Sequence, residues 1–276
     1  MPTATVNGVP TYYETHGDGP PVLFIHGGFG GSPTADAEIG ADAIKALDGV
    51  AKVINYHRRN AGESAYTDDH YALPDLAADA RALLDSLGID RSVVIGSSMG
   101  GMVALQYALD YPDSVSALAL VQTGPALMAS TGFGPPMARV VERAAAEGDR
   151  GIFESRKDKL RSPRDVLAMA NGPARDERLQ GLARLTDDEL YVMSTGAIRN
   201  YEAFVGYDYT DRLGDIKTPT IIVHGDADPV VPFENAGILN TGIPRAKFQV
   251  IADATHGLLG FEDAATALRD WVMDVT

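Results

Sequence analysis

The sequence contains no cysteine among its 276 residues. Disulfide bonds, thiolate zinc sites and cysteine nucleophiles are therefore excluded. Positive charge is also scarce, because 23 Lys and Arg face 38 Asp and Glu, which gives a formal net charge of −15. Nucleic acids and anionic membrane surfaces are bound by clustered Lys and Arg, so we expect neither as a partner.

Long apolar runs are missing as well. The longest uncharged stretch, residues 114–138, is interrupted by glycines and prolines, so it predicts a strand followed by a loop and not a membrane span. The first residues lack the basic start and apolar run of a secretory signal. The expected location is therefore the cytoplasm.

Short apolar runs alternate with helix-like segments along the chain, and 45% of the residues are hydrophobic, which is enough for one large packed core. This alternation is typical of a mostly parallel sheet with helices on both faces. A hairpin around Asn7-Gly8, with strands at 4–9 and 11–14, is expected to add an antiparallel edge. The other strands are predicted at residues 21–26, 51–56, 92–96, 115–121, 220–224 and 248–251.

The segment from Gly124 to about Arg212 has no strand pattern but several helix starts. Ser162-Pro163 reads as an N-cap followed by proline, and residues 186–189, Thr-Asp-Asp-Glu, read as a capping box. We therefore expect a core formed by residues 1–123 and 213–276, with a helical insertion at 124–212.

Residues 96–100, Gly-Ser-Ser-Met-Gly, match the pattern G-x-S-x-G that is typical of a nucleophilic serine. The motif follows a predicted strand and opens a helical run, so the serine lies in a tight strand-to-helix turn. Such a turn needs small residues two positions before and after the serine. Ser98 has glycine at both positions and Ser97 does not, so Ser98 is the candidate nucleophile.

A serine hydroxyl needs a base within hydrogen-bond reach and a carboxylate that orients the base. Of the six histidines, only His256 follows the last predicted strand. Two carboxylates, Asp226 and Asp228, follow the strand at 220–224, and their position alone leaves both open as the acid.

With these residues in place, the sequence resembles the α/β-hydrolase superfamily, in which nucleophile, acid and histidine occur in this order. Gly225, Asp228 and Pro232 match the family's acid turn, G-x-x-D-x-x-x-P, so the resemblance implies Asp228 as the acid and His256 as the base. The implied fold is a mostly parallel eight-stranded sheet flanked by helices, with the insertion as a helical cap. Haloalkane dehalogenases and epoxide hydrolases of this fold use an aspartate nucleophile, so Ser98 argues against their chemistry.

The glycine-rich segment 26–31 looks like the family's oxyanion loop, which supplies a backbone N–H to the negative oxygen of the reaction intermediate. The resemblance implies Gly28 as this donor, with Phe29 as the second choice. Met99, which follows the nucleophile, is the other implied donor.

Two regions depart from the family pattern. Residues 57–64 match the turn D-x-R-G-x-G-x-S, except that His57 and Asn60 stand where Asp and Gly are usual. Some members place the acid after the sixth strand, where this chain has Gln122 and Thr123, neither of which can serve.

Other functions are less well supported by the same residues. His224, Asp226 and Asp228 lie close in sequence, but alternate residues at a strand end point to opposite faces, so no metal site is expected. Residues 26–31 lack both a following Lys-Ser/Thr and G-x-G-x-x-G spacing, so no nucleotide site is expected. His26 is expected to orient this loop through backbone hydrogen bonds and not to act as a base.

The expected activity is that of a carboxylesterase-like serine hydrolase. It cleaves a small to medium, mostly apolar ester through an acyl-enzyme, with a small molecule as its partner and without a cofactor. Residues 98–101 are also similar to enol-lactonases and to C–C bond hydrolases of aromatic catabolism, although Ser97 stands where the latter usually carry Asn. A non-catalytic hydrolase-fold ligand receptor is the third alternative.

The entrance to the insertion carries three large apolar residues, Met128, Phe133 and Met137. They are compatible with simple packing of the insertion and equally with an apolar acyl or alcohol pocket. The oligomeric state is left open by the sequence.

Overall fold

The computed structural model describes residues 2–28, 39–127, 134–160, 180–181 and 183–276, with the backbone only for residues 134–137. Its strands are β1 (Thr3–Val6), β2 (Val9–His16), β3 (Pro21–Ile25), β4 (Lys52–Tyr56), β5 (Ser92–Ser97), β6 (Val115–Val121), β7 (Thr220–Gly225) and β8 (Lys247–Ile251). They form one sheet in the order β1-β2-β4-β3-β5-β6-β7-β8. The pairs β1–β2 and β2–β4 are antiparallel and the other pairs are parallel, which confirms the predicted sheet.

Helices follow most of the parallel strands. They are α1 (Ala41–Ala46), α2 (Leu73–Ser86), α3 (Met99–Asp110), α4 (Gly134–Glu147), α5 (Asp149–Leu160), α6 (Asp187–Glu202), α7 (Glu234–Gly242) and α8 (Glu262–Val275), with 3₁₀ turns at Pro112–Ser114, Thr210–Asp215 and Leu258–Gly260. Across the described parts of the chain, no helix combines the length and the apolar character needed to cross a membrane.

Both faces of the sheet are covered, as the nearly continuous apolar strands predict. Along β3, Leu23 and Ile25 face the core beneath α2 and α3, whereas Val22 and Phe24 face the core beneath α1 and α8. This alternation is the two-residue period of a strand. Full burial of each such side chain contributes about 1.5–3 kcal/mol of transfer free energy, which holds the helices on the sheet.

The predicted edge hairpin is present, with a small shift in its bounds. Asn7 and Gly8 both have positive φ, 47° and 82°, as a two-residue hairpin turn requires. Val6 therefore pairs with Val9, and Val9 opens β2 instead of ending the first strand.

The predicted capping box is present at the start of α6. The Thr186 hydroxyl accepts a hydrogen bond from the Glu189 amide at 3.2 Å, and the Glu189 carboxylate accepts one from the Thr186 amide at 2.8 Å. The other predicted helix start, Ser162-Pro163, lies outside the described residues.

The turn after β4 tolerates both departures from the family pattern. His57 Nδ1 accepts a hydrogen bond from the Glu63 amide at 2.9 Å, so a neutral imidazole supplies an acceptor where the family has a carboxylate. Asn60 has a φ of 59°, which Asn tolerates better than most residues, and its Oδ1 accepts from the Thr67 amide at 2.6 Å. The turn is also closed by the Asn60 amide, which donates to Ala65 O at 3.1 Å.

The described chain between β6 and β7 is mainly helical, and its last helix contacts this turn. The Asn200 side-chain amide on α6 donates to the carbonyl oxygens of Arg59 and Asn60 at 3.3 and 3.2 Å. The helical insertion is thereby anchored on the same edge of the sheet where the carboxyl ends of the parallel strands meet, which is where sites form in such folds.

Candidate active site

Ser98 connects β5 to α3 in a backbone conformation that non-glycine residues rarely adopt, with φ 53° and ψ −124°. Holding a residue in such a region costs on the order of 1–3 kcal/mol. The Ser98 amide donates to Val121 O at 3.0 Å, and the Ser98 carbonyl accepts from Thr123 Oγ1 at 2.6 Å. The predicted strand-to-helix turn is therefore present, and it leaves the serine side chain half-buried.

The glycines on either side of Ser98 are required by close backbone contacts. A Cβ added at Gly100 would overlap the carbonyl oxygens of Ile25 and His26. A Cβ added at Gly96 would lie 2.5 Å from Gly100 O, well inside normal contact distance. The turn can form at this position only because both residues lack a side chain.

The structure brings Ser98, His256 and Asp228 together. His256 Nε2 lies 3.1 Å from Ser98 Oγ, and His256 Nδ1 lies 2.8 Å from Asp228 Oδ2. Because an ionised carboxylate can only accept, Nδ1 carries the proton and Nε2 is left to accept from the serine hydroxyl. An imidazole in this state can remove the hydroxyl proton when the serine attacks an electrophile.

Asp228 accepts three hydrogen bonds although its side chain is almost fully buried. Its Oδ1 accepts from the amides of Val230 and Val231 at 2.7 and 3.0 Å. Burial acts to raise the pKa of the Asp228 carboxyl, but the hydrogen bonds from His256, Val231 and Val230 outweigh it and leave the pKa below its usual value. The group is therefore a carboxylate at neutral pH. Asp226 is exposed, and its Oδ1 instead accepts from the Asp253 amide at 2.7 Å.

The two predicted oxyanion donors, Met99 and Gly28, belong to segments on either side of Ser98. Met99 is the first residue of α3, where amides have no acceptor within the helix and the helix dipole is positive. On the other side, Gly27 is so close that an added Cβ would lie 2.8 Å from Ser98 Cβ, and Gly28 follows with a φ of 76°. Phe29, the second choice for this donor, lies outside the described residues.

The loop of residues 27 and 28 beside Ser98 is held by hydrogen bonds from His26 and Arg58. His26 Nδ1 donates to Gly27 O at 2.7 Å and its Nε2 accepts from the Arg58 amide at 3.0 Å, which confirms its predicted loop-orienting contacts. The buried Arg58 guanidinium donates to Gly28 O at 2.6 Å and to Gly27 O at 3.3 Å. The Gly27 C=O and the Gly28 N–H belong to one trans peptide and point in opposite directions, so the contacts to Gly27 O direct the Gly28 N–H away from His26 and Arg58.

Two further side chains contact the site although no role was predicted for them. Gln122 and Thr123 directly follow β6 and are buried. Polar residues immediately after a buried strand are a signal that their side chains support a site. Their partners lie far away in sequence, however, and only the fold reveals them.

Three buried histidines, His26, His57 and His224, are neutral in the folded protein. Burial is the main cause in each case: it lowers the pKa of His26 well below its usual value, that of His57 to about 4, and that of His224 as well. The positive charge of Arg58 lowers the pKa of His26 further. For His224 the lowering persists although Nε2 donates to Val231 O at 3.0 Å.

We expect these histidines to make the protein sensitive to acid. Between the lowered folded pKa values and the unfolded value near 6.5, the unfolded chain binds protons that the folded chain does not, so stability falls as pH falls. Each histidine contributes up to about 1.4 kcal/mol per pH unit, so the free energy of unfolding should drop by about 2–4 kcal/mol from pH 6 to pH 5. Urea unfolding at a series of pH values measures this slope.

A substitution separates this effect from the titration of other groups. His57→Asn should reduce the slope by about 1 kcal/mol per pH unit, because one proton-binding group is removed from the unfolded chain. The exposed His70 offers a matched control, because His70→Asn removes a histidine without removing a buried imidazole. Equal slopes in wild type and His57→Asn would contradict the explanation.

Other predicted residues have different outcomes. Met128 and Phe133 lie outside the described residues, and of Met137 only the backbone is described, so their expected pocket role stays a prediction. Within the described ranges, no three His, Asp or Glu side chains are arranged to hold a metal ion.

Comparison with known proteins identifies the family. The family model for the alpha/beta hydrolase fold matches residues 20–263. The chain belongs to this α/β-hydrolase family. The relatives and solved structures named as hydrolases and esterases show that the chain is a hydrolase.

Individual relatives of this α/β-hydrolase cover nearly its whole length at modest identity. A non-heme haloperoxidase of Rhodococcus erythropolis is 28% identical over 94% of this chain and 93% of the relative. A bifunctional esterase/perhydrolase of Acinetobacter calcoaceticus is 28% identical over 84% of each chain. The solved structure of a thermophilic esterase from Thermogutta terrifontis, with malate bound, superposes with a TM-score of 0.71 at 26% identity and covers 99% of this chain and 98% of that one.

Proposed function

We propose that the protein is a serine esterase that cleaves small to medium, mostly apolar carboxylic esters. The observation that carries this proposal is the continuous chain of hydrogen bonds from Ser98 Oγ through His256 to Asp228. The esterases among its similar proteins support the same reaction class.

In the proposed mechanism Ser98 Oγ attacks the ester carbonyl while its proton passes to His256 Nε2. The resulting imidazolium is stabilised by the Asp228 carboxylate and then gives the proton to the leaving alcohol, so that an acyl-serine remains. A water molecule, deprotonated by His256 in the same way, attacks the acyl-serine and releases the acid. The bond-forming and proton-transfer steps use Ser98, His256, Asp228 and water.

The negative oxygen of both tetrahedral intermediates is proposed to lie between the amides of Gly28 and Met99. Each oxyanion donor contributes about 10²- to 10³-fold to the rate in comparable enzymes. His26 and Arg58 support this arrangement because they hold the carbonyl of Gly27 on the far side of the loop. The donor therefore needs little reorganisation when charge develops.

We further propose that α4, α5 and α6 belong to a cap that selects the substrate. They occupy the segment between β6 and β7, and α6 is anchored by Asn200 to the turn after β4, on the edge of the sheet that carries Ser98. The proposed domain division at residues 1–123, 124–212 and 213–276 follows this insertion.

The test is labelling by a fluorophosphonate probe, followed by turnover of p-nitrophenyl esters of increasing acyl length. We expect one probe per chain and many turnovers per active site, with kcat/KM highest at one acyl length that reflects the size of the pocket. A lactone and a C–C bond substrate in the same panel test the alternative reactions. Release of at most one acyl equivalent would instead support the ligand-receptor alternative.

A further inference from the structure

Gln122 has an unusual backbone conformation for its position. It directly follows β6, its φ is 44°, and only 7% of its surface is exposed. Positive φ at a non-glycine residue costs free energy and persists only where surrounding contacts hold the backbone. The backbone N–H of Gln122 donates to Val223 O at 2.9 Å, which ties the backbone of Gln122 to β7.

The side-chain amide of Gln122 hydrogen-bonds to the turn that carries Ser98 and to the loop that carries His256. Its Oε1 accepts from the amides of Gly257 and Leu258 at 2.8 and 2.7 Å. Its Nε2 donates to Ser97 Oγ at 3.1 Å. One buried amide group thus connects the residue before the nucleophile to the two residues after His256.

We propose that Gln122 is a positioning residue that sets the distance between His256 and Ser98. This inference rests on the proposed serine mechanism. His256 is carried by a loop and is one-quarter exposed, so the strands alone do not fix the imidazole. The two amides held by Gln122 are the first two backbone donors after His256, and they can move only if this contact breaks.

The proposal accounts for why a side chain with both an acceptor and a donor follows β6. The two amides of the histidine loop need an acceptor, whereas the Ser97 hydroxyl can accept from the other end of the same group. Gln122 supplies both functions at once. A displacement of reacting groups by about 1 Å can cost on the order of 10²-fold in rate, so loss of this contact should affect catalysis more than substrate binding.

The experiment compares Gln122→Met with Gln106→Met. Gln106 on α3 is buried to a similar degree, with 8% exposure. Its side-chain amide hydrogen-bonds to Asp110, at the end of α3, and to Tyr209, and to no residue of the triad. For Gln122→Met we expect about a 30- to 100-fold loss in kcat for p-nitrophenyl butyrate and in the rate of fluorophosphonate labelling. KM should change less than about threefold, and Gln106→Met should keep both rates within about threefold of wild type.

Two milder variants keep the test decisive if Gln122→Met folds poorly. Gln122→Glu retains the acceptor for both amides and can accept from the Ser97 hydroxyl, so most of the activity should return. Gln122→Asn withdraws the acceptor by one methylene and should lose about tenfold in kcat.

Each outcome decides the question. If the wild type is labelled and Gln122→Met or Gln122→Asn is labelled at the same rate, the positioning role is overturned and the serine mechanism stays intact. Equal losses in Gln122→Met and Gln106→Met, in step with their loss of thermal stability, also overturn it, because they indicate a merely structural role. Failure of wild type to label overturns the serine mechanism and this inference together.

Discussion

Replacement of Ser98 by alanine is expected to lower kcat for p-nitrophenyl esters by about 10⁶-fold and to abolish fluorophosphonate labelling. The reason is that Ser98 Oγ is the one atom of the site that forms a bond to the substrate in the proposed mechanism. Its hydroxyl lies 3.1 Å from the His256 nitrogen that would accept its proton. Loss of that oxygen leaves only the oxyanion donors and binding, which supply a residual acceleration over water of roughly 10³–10⁴.

His256→Ala should lose about as much activity as Ser98→Ala. Without the imidazole the serine keeps its proton at neutral pH and is a weak nucleophile. Because the two residues act as a unit, the double variant should be no slower than either single variant. Initial rates under multiple turnover, with probe labelling of the same samples, measure all three.

Ser92→Ala is the matched control for Ser98→Ala. Ser92 is a buried serine at the opposite end of β5. The Ser92→Ala variant should retain kcat within about twofold, because the strand-to-helix turn at Ser98 is undisturbed. Substantial labelling of the Ser98→Ala variant would show that another residue carries the reaction. Loss of activity in Ser92→Ala would show that the assay reports folding instead of chemistry.

Much of the fold could be predicted because the apolar strands follow simple rules. The parallel strands are buried on both faces, so runs such as residues 115–121 stand out as continuous and uncharged, and β6 has those bounds. Asn7-Gly8 predicts its turn because both residues accept positive φ. Element ends are less certain: β5 extends through Ser97, one residue beyond the predicted end, because pairing with β6 contributes and local sequence does not decide.

The candidate site was predictable to the extent that its residues lie in local motifs. Ser98 has glycines two positions before and after it, where neighbouring backbone atoms leave no space for a side chain. The choice between Asp226 and Asp228 needed the family resemblance, because both carboxylates follow the same strand. The structure places Asp228 against His256 because two backbone amides hold its other oxygen.

The supporting contacts of the site could not be read from the sequence. Gln122 meets the amides of residues 257 and 258, and Arg58 meets the loop at 27–28, so each pair of partners is joined only when distant strands become neighbours. Their burial is equally invisible in a linear pattern, since buried arginine and glutamine are rare. Such residues are found by asking which donors satisfy the loops that carry the reacting groups.

Asp228→Asn is expected to lower kcat by about 10⁴-fold, a large effect for the exchange of one oxygen for an NH₂ group. The structure explains why the amide has no favourable alternative orientation. Oδ1 of Asp228 accepts from two backbone amides, so the amide oxygen of Asn must stay there and its NH₂ group must face His256. His256 Nδ1 then accepts instead of donating, its proton moves to Nε2, and Nε2 can no longer accept from Ser98.

Asp226→Asn is the matched control, because Asp226 lies two residues away, is exposed and contacts only the Asp253 amide among the hydrogen bonds described above. Its kcat should stay within about threefold of wild type. Circular dichroism and thermal unfolding of both variants establish that each is folded. If Asp226→Asn lost as much activity as Asp228→Asn, or if Asp228→Asn kept more than a tenth of the wild-type kcat, the assignment of Asp228 would be wrong. With the expected result, the buried carboxylate acts by fixing which imidazole nitrogen carries the proton, and its two backbone donors are what make that choice unambiguous.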